Sequence, residues 1–307
     1  MKKKILILAG GFSKERDISL ITSKSVQKSL NESGKYKTRV TEPDGDLIKK
    51  IRKFKPHVVF NALHGRYGED GYIQSILENE KIKYTHSGVL SSFYAIDKEI
   101  SKKIFIKNNI LTPRYIKFNF KKKFNKFFFL KHLKKKIGFP VVIKPLNEGS
   151  SVNVFICNSS NILKKMKRLV NYREILIEKY IPGREIQAAI MGNNKLGAIE
   201  LIPKRKFYDY EAKYNPKANT KHIIPVNLSD RNYKKIMSIA LKAHKILGCR
   251  GVTRSDFRFY NNKFYLLELN TQPGMTSLSL VPEIAKHKKI SFIDLIEWII
   301  DDASINR

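Results

Sequence analysis

The chain has 307 residues, of which 42% are hydrophobic and 28% are charged. This length favours two or three subdomains around one site, and the hydrophobic content excludes a disordered chain. No apolar run approaches the roughly 18–20 residues that span a bilayer, and the apolar start at 5–9 is shorter than a signal-peptide core. Two cysteines, Cys157 and Cys249, do not make a disulfide scaffold. We therefore expect a cytoplasmic protein with no membrane partner.

Sixty basic and 27 acidic residues give a net charge of +33. Such a charge attracts phosphate polymers and makes nucleic-acid binding a hypothesis. The lysines are spread along the chain, however, which indicates compositional drift. Only 118–136 combines clustered lysines with aromatic residues, and we interpret it as a helical hairpin whose lysines face water and whose Phe and Leu face a core. We expect no specific nucleic-acid partner.

Short buried strands alternate with amphipathic helices in the first third of the chain. The predicted elements are strands at 3–9, 57–63 and 81–85 and helices at 18–33 and 72–79. This alternation predicts an α/β fold, with a parallel sheet and crossover helices. Ligands of such sheets bind at the carboxyl ends of the strands, where the loops 10–17 and 64–71 lie.

The rest of the chain mixes strands and helices without a repeat. Helical patterns cover 89–109, 159–170, 229–247 and 291–301, and strands are predicted at 141–146, 152–157, 175–181, 185–191, 196–202, 252–260 and 263–270. Two strands flank the Gly loop 147–151, which makes a hairpin and not a P-loop. The stretch 203–227 lacks periodicity and contains three prolines. A loop of that length is usually functional, and we interpret it as a lid.

An acidic hairpin near the C-terminus is a candidate metal site. Glu268 and Asn270 are two apart on a strand and share a face, and Asp256 lies on the preceding strand. Three oxygen ligands of this kind suit Mg²⁺, which also takes substrate phosphates. The alternative is the polar outer face of an amphipathic hairpin.

Two lysines are candidates for binding nucleotide phosphates. Lys144 ends an apolar strand before the Gly loop, whose amides can cradle a phosphate, and Lys98 begins a helix. A solvated strand end and a surface charge are the alternatives. The edge strand 175–181 can pair its backbone with an adenine edge, with Glu178 and Lys179 beside the base. Glu185 can accept both ribose hydroxyls, although spacing alone does not establish this.

The remaining candidates could bind a small amino acid. Glu15, behind the first glycine pair, can bind an ammonium group, and His64 heads the second loop. Arg254 and the backbone N–H of Gly274 can stabilise an oxyanion. A predicted helix start offers hydroxyl and N–H groups to a carboxylate. Its residues are Ser279 and Leu280.

These pieces occur in one order over nearly the whole chain. The matching segments are AGGFSKERDIS (9–19), ALHGRYGEDGYIQSILE (62–78), YTHSGVLSS (84–92), DKEISK (97–102), PVVIKPLNEGSSV (140–152), LIEKYIPGREI (176–186), FYDYEAKY (207–214), RSDF (254–257) and LLELNTQPGMTSLSLVP (266–282). With them the chain resembles the D-alanine–D-alanine ligases of the ATP-grasp superfamily.

The resemblance implies a role for each matched residue. Glu15 and His64 hold the first D-alanine, and Ser279 and Leu280 hold the carboxylate of the second. The lysines that contact phosphates are Lys98, Lys144 and Lys213. Adenine and ribose lie against Glu178, Lys179, Ile181 and Glu185. Ser150 and Tyr214 form a hydrogen-bonded link with Glu15. Arg254 and Gly274 stabilise the tetrahedral intermediate, and the ligands of two metal ions are Asp256, Glu268 and Asn270.

The resemblance also implies an architecture and a reaction. We expect an ATP-grasp fold with an N-terminal parallel-sheet domain (1–95), a central subdomain (96–182) and a C-terminal subdomain with the metal site and lid (183–307), α+β in its last two parts. ATP and two Mg²⁺ ions, or Mn²⁺, serve the ligation of two D-alanine molecules for peptidoglycan synthesis. The resemblance further implies a homodimer.

Some positions depart from the family pattern. Asn153 stands where the family usually has Gly after GSSV, His86 replaces a Gly, and Leu278 replaces a His. Asn153 reduces backbone freedom and predicts slower turnover. Three other hypotheses remain: a ligase that takes D-lactate or D-serine as second substrate, a degraded ligase, and a nucleic-acid-binding protein that keeps the ligase fold.

Overall fold

A computed structural model describes residues 2–121, 123–149, 153–203, 220–276 and 279–306. The helices are α1 (Arg16–Glu32), α2 (Leu47–Phe54), α3 (Tyr72–Asn79), α4 (Val89–Ile96), α5 (Lys98–Lys107), α6 (Lys126–Lys136), α7 (Ile162–Lys167), α8 (Asp230–Ile246), α9 (Leu280–His287) and α10 (Phe292–Asp301). The strands are β1 (Lys3–Leu8), β2 (Tyr36–Thr41), β3 (Val58–Asn61), β4 (Tyr115–Asn119), β5 (Val141–Pro145), β6 (Phe155–Cys157), β7 (Glu174–Lys179), β8 (Arg184–Met191), β9 (Asn194–Ile202), β10 (Lys221–Ile223), β11 (Val252–Tyr260) and β12 (Lys263–Asn270).

The first sheet is parallel, in the order β2-β1-β3, which confirms the α/β prediction for this part. All four residues of β3 are buried, as expected for a strand covered on both faces. The predicted strand at 81–85 is wrong, because Tyr84 makes only isolated bridges to Val59 and Ser304. The sequence reading missed β2, whose residues are half-buried or exposed and lack a clear apolar pattern.

The second sheet is antiparallel, in the order β4-β7-β5-β6. Strand β7 lies between β4 and β5, so the prediction of an edge strand at 175–181 is wrong. The expected helical hairpin at 118–136 is also wrong, because its first residues end strand β4. Phe118 packs against Phe129 with the ring centroids 5.1 Å apart, but Phe127 and Phe128 of α6 are 69% and 66% exposed.

The third sheet has the order β10-β9-β8-β11-β12, and all its pairs are antiparallel. Asn261 and Asn262 join β11 to β12 with φ values of 47° and 58°, as the predicted two-residue turn requires. Helix α8 packs on one face through Ile236 and Ala240. Its start is capped by Ser229, whose hydroxyl accepts the N–H of Asn232.

The last two helices belong to the core of the first sheet. Ile5 and Ile7 of β1 share one buried cluster with Ile284 of α9 and with Leu295 and Ile299 of α10. Each sheet nevertheless takes its strands from one of the three predicted ranges, and we keep that division as a proposal. Among the described residues no helix has both the length and the apolar character needed to cross a membrane.

Gly183, between β7 and β8, tests how tightly the start of β8 packs against β11. Its φ is +101°, and a Cβ there would overlap the carbonyl oxygen of Phe259. Gly34 also has a positive φ, of +71°, but a Cβ there would meet nothing within 4 Å. We expect Gly34→Ala to lower the free energy of unfolding by about 1–2 kcal/mol through backbone strain alone.

Gly183→Ala adds steric overlap to that strain and should cost at least about 1 kcal/mol more. Urea unfolding of the two variants and the parent measures the difference. Equal losses in the two variants would show that the backbone around Gly183 moves aside freely.

Candidate active site

The acidic hairpin places its polar side chains on one face of the third sheet. Asp256 lies directly opposite Glu268, and Arg254 lies opposite Asn270, so all four project to the same side. The register shifts between Asp256 and Phe257, and this bulge ends the regular ladder beside the carboxylates. Bulges commonly re-aim side chains near active sites. The geometry therefore supports the predicted grouping of the three oxygen ligands.

Two cations lie beside these carboxylates. Arg254 donates from Nε and one Nη to the two Asp256 oxygens, at 2.7 and 3.0 Å. Lys98 Nζ lies 3.5 Å from Glu268 Oε2 and donates to the backbone oxygen of Glu148 at 2.6 Å. Lys98 is the first residue of helix α5 and is buried. The cations offset the charge of the two carboxylates.

A cavity of about 190 Å³ opens on this face. The predicted residues that line it are Glu15, His64, Lys98, Arg254, Glu268, Asn270, Gly274, Ser279 and Leu280. They come from all three parts of the chain. Asp256 is buried next to the cavity without lining it, and the predicted nucleotide-base residues lie outside its lining. The cavity thus brings two of the predicted metal ligands, Glu268 and Asn270, together with the predicted amino-acid residues.

Glu15 and His64 approach the cavity from the first sheet. Glu15 precedes α1, and its carboxylate lies so close to Gly65 and Gly149 that a Cβ at either would be within 2.7 Å of Glu15 Oε2. His64 is fixed by both ring nitrogens: Nδ1 lies 3.2 Å from Glu69 Oε1 and Nε2 lies 3.1 Å from Thr22 Oγ1.

The loop after β12 completes the other side. A Cβ at Gly274 would lie 3.0 Å from Ser279 Oγ and 4.0 Å from His64 Cε1, so these three residues converge. Ser279 precedes α9, and its Oγ accepts the N–H of Thr276 at 3.0 Å. Leu280 is the first residue of α9. A helix start with an adjacent hydroxyl is well suited to a carboxylate.

A buried ionic triad lies deeper, between α5 and the second sheet. Glu178 Oε1 is 2.6 Å from Lys144 Nζ, and Glu178 Oε2 is 2.9 Å from Lys102 Nζ. Burial raises the pKa of Glu178, but Lys102 and Lys144 outweigh burial and hold that pKa below its ordinary value. Burial lowers the pKa of Lys144, yet the Glu178 and Glu268 carboxylates raise it above its ordinary value.

The other predicted nucleotide residues lie near the junction of the second and third sheets. Lys179 Nζ donates to the backbone oxygen of Phe139 at 2.7 Å, and burial lowers its pKa. Ile181 follows β7 and is half-buried. Glu185 of β8 forms an ion pair of 2.8 Å with Arg258. The predictions for Ser150, Lys213, Tyr214 and the lid at 203–227 lie wholly or largely outside the described residues.

The sequence reading missed Lys102 and Gln187. Lys102 lies one helical turn after Lys98, and this spacing was a usable signal. Gln187 shares a strand face with Glu185 and lies opposite Asp256 on β8. Its side chain lines the cavity, is 1% exposed, and has an Oε1 atom with no hydrogen-bond partner among the described residues.

The donor set of the hairpin fits Mg²⁺. Two carboxylates and the Asn270 amide oxygen are hard oxygen donors, and Gln187 Oε1 is a further buried acceptor beside them. Within the described ranges no three His, Cys, Asp or Glu side chains gather into a metal-binding group. Mg²⁺ would therefore need ligands from a bound phosphate, as it usually does.

A polar network joins the first and second sheets above the cavity. The Tyr172 hydroxyl accepts from Lys14 Nζ at 2.7 Å and from Asn153 Nδ2 at 2.9 Å, and donates to Glu148 Oε1 at 3.1 Å. Asn153 has a φ of +57°, which supports the view that Gly fits there. Tyr172 thus holds the Asn153 side chain in the network.

Comparison with known proteins identifies the family. The profile of the D-ala D-ala ligase C-terminus matches residues 104–301. A D-alanine–D-alanine ligase of Pelagibacter ubique (strain HTCC1062) is 69% identical over 307 residues, with 100% of both chains covered. The chain belongs to the D-alanine–D-alanine ligase family. A D-alanine–D-alanine ligase of Wolbachia pipientis wMel is 45% identical over 97% of this chain and 94% of that one.

Solved structures of D-alanine–D-alanine ligase from Bacillus anthracis share the fold. One superposes with a TM-score of 0.87 at 33% identity, and covers 98% of this chain and 97% of that chain. Another, described as complexed with ATP, has a TM-score of 0.85 at 30% identity over the same shares of the two chains. The predicted ATP-grasp fold and the resemblance to the family are confirmed.

Asn153 provides a test of how the network affects turnover. Asn153→Gly restores backbone freedom next to the Gly loop and breaks the bond to Tyr172. We expect kcat to rise by about two- to fivefold, because about 0.5–1 kcal/mol of restriction is removed. Tyr172→Phe breaks the same bond but keeps Asn153, so its kcat should change less. Steady-state kinetics of both variants decide this, and an unchanged kcat in Asn153→Gly would contradict it.

Proposed function

We propose that this chain is an ATP-dependent ligase that joins two D-alanine molecules to D-alanyl-D-alanine through an acyl phosphate. The observation that carries the proposal is the cavity at the third sheet. It brings the buried cation of Lys98, the carboxylate of Glu268 and the amino-acid residues Glu15, His64 and Ser279 together in one space. Membership of the ligase family supports the same reaction.

The first half of the reaction is activation of a carboxylate. A carboxylate resists amine attack because its leaving group would be an oxide. In the proposed step an oxygen of the first D-alanine attacks the γ-phosphorus of ATP, the bond to the ADP oxygen breaks, and an acyl phosphate forms. Glu15 binds the ammonium group of this D-alanine, and His64, fixed by Thr22 and Glu69, orients it.

The charges on the transferred phosphoryl group need compensation. Lys98 and Lys144 supply fixed cations from α5 and β5. Asp256, Glu268 and Asn270 would hold Mg²⁺, or Mn²⁺. When bound, the metal supplies Lewis-acid neutralisation of the phosphate oxygens.

The second half of the reaction forms the peptide bond. The carboxylate of the second D-alanine binds at the start of α9, at Ser279 and Leu280. Its amine attacks the acyl carbon and loses a proton, and inorganic phosphate leaves. Arg254 and the N–H of Gly274 stabilise the negative oxygen of the tetrahedral intermediate. Arg254 lines the cavity, which supports this role.

The setting of the enzyme follows from the same proposal. The product is a peptidoglycan precursor, and we place its synthesis in the cytoplasm. Cys157 and Cys249 are both buried free thiols, which suits a reducing compartment. We also propose a homodimer, which light scattering coupled to gel filtration would test.

The reaction itself is tested with purified protein, Mg-ATP and D-alanine. We expect ADP, phosphate and D-alanyl-D-alanine in equal amounts with D-alanine alone, followed by a coupled assay and by mass spectrometry. Parallel reactions add D-lactate or D-serine. No ADP at millimolar D-alanine would refute the proposal, and product only with D-lactate or D-serine would reassign the second substrate.

The metal role of Glu268 is tested by Glu268→Gln. Loss of one carboxylate charge should reduce kcat at ordinary Mg²⁺ by at least about a hundredfold, with partial recovery at high Mg²⁺. Glu32→Gln, on an exposed turn of α1, is the matched control and should leave kcat unchanged. Full activity of Glu268→Gln across the Mg²⁺ titration would exclude Glu268 as a ligand.

A further inference from the structure

Lys102 has no part in the proposed reaction, yet it is one of the most deeply buried charged residues described. Its side chain is 0% exposed. It lies on α5, one turn beyond Lys98, and reaches toward the second sheet. Burial lowers the pKa of Lys102 to about 8, although the negative charge of Glu178 acts to raise it. The ammonium form therefore predominates at neutral pH.

Lys102 contacts the Glu178 carboxylate, a threonine hydroxyl and a tyrosine ring. Its Nζ lies 2.9 Å from Glu178 Oε2 and donates to Thr112 Oγ1 at 2.6 Å. The Tyr115 ring centroid is 5.8 Å from Nζ, and Tyr115 is the β4 partner of Glu178. Lys144 takes the other oxygen of Glu178 at 2.6 Å. The Glu178 carboxylate is thus paired with Lys102 of α5 through one oxygen and with Lys144 of β5 through the other.

A structural role alone explains this arrangement poorly. Burying an ammonium group costs several kcal/mol, and well-packed apolar residues often replace a buried ion pair without loss of stability. Glu178 already has Lys144 as a counter-ion, so a second lysine is not needed to neutralise it. Two cations and one carboxylate leave an excess positive charge inside the protein. What the second lysine adds is a fixed orientation of the carboxylate.

The orientation of Glu178 matters because one of its carboxylate oxygens can accept a further hydrogen bond. Glu178 Oε2 is fully buried, and its 2.9 Å contact with Lys102 Nζ uses one of the two lone pairs of that oxygen. A carboxylate oxygen in this state can accept from an amino group. Adenine offers a 6-amino group, whereas hypoxanthine offers a 6-oxo group, which would repel the carboxylate.

We propose that Lys102, anchored by Thr112, is a positioning residue that aims the Glu178 carboxylate at the base and so sets the preference of the enzyme for adenine nucleotides. The proposal rests on the proposed use of ATP. Lys102 acts through Glu178 and touches neither the base nor the phosphates. Without it, Glu178 would turn toward Lys144 and lose its selectivity for the amino group.

The test compares the affinities of ATP and inosine triphosphate in the absence of D-alanine, by titration calorimetry with Mg²⁺. We expect the full-length parent to bind ATP at least about tenfold more tightly than inosine triphosphate. The 6-oxo group of inosine would face the Glu178 carboxylate, and a misplaced polar group is strongly rejected. Lys102→Met should reduce the ratio of the two affinities by about tenfold, mainly by weakening the binding of ATP. Lys103→Met, which removes an exposed lysine paired with Glu99, is the matched control and should keep the ratio.

The ratio of the affinities for ATP and inosine triphosphate distinguishes a positioning role of Lys102 from a general loss of structure. If Lys102→Met weakens both nucleotides equally, or leaves the ratio at the parent value, the proposal is overturned. Should Lys102→Met fail to fold, as judged by circular dichroism, Thr112→Val takes its place. That variant removes only the anchor and should lower the ratio by a smaller factor, and an unchanged ratio would again overturn the proposal.

The same variants keep the two proposals distinguishable. If the parent makes no D-alanyl-D-alanine but Lys102→Met still loses the preference for ATP, the proposed reaction fails and the positioning role stands. If the parent makes the dipeptide and the ratio is the same in both proteins, the reaction stands and the positioning role fails.

Discussion

Asp256 and Glu268 face each other across β11 and β12, and the rest of the candidate site depends on that register. The alternate residues, such as Ser255 and Leu269, point the other way and are buried. A slip of one residue would send the carboxylates into the core and the apolar side chains to the cavity. The core beneath α8 therefore enforces the arrangement of the charges above it, and packing and chemistry cannot vary independently at this hairpin.

The charged side chains of the site are largely buried, and they are stabilised by neighbours of opposite charge. Carboxylates and cations alternate from Asp256 and Arg254 to Glu268 and Lys98. The deeper triad around Glu178 has one cation more than it needs for neutrality. Such an excess is costly in an empty protein and becomes favourable once an anionic ligand enters. Binding of a polyphosphate would thus relieve a strain that folding creates.

Local patterns in the sequence were enough to predict most elements and nine of the residues that line the candidate cavity. The Asn261-Asn262 turn and the strands beside it were predictable because turn chemistry and alternation act over a few residues. The position of β7 inside its sheet was not, because periodicity reports burial and not which strand lies alongside. The same holds for long-range links: Asn61 Nδ2 donates to Gln272 Oε1 at 2.7 Å, and the two residues are 211 positions apart.

The placement of α9 and α10 against β1 has a consequence for synthesis on the ribosome. The face of the first sheet formed by Ile5 and Ile7 obtains its apolar cover in part from Val26 and Leu30 of α1 and in part from residues near the opposite end of the chain, Leu295 and Ile299. A nascent chain therefore carries a sheet face that is only partly covered until the last two helices have been synthesised. Native packing of this face requires that Leu295 and Ile299 have left the ribosome, and until then the exposed apolar surface is a natural substrate for chaperones.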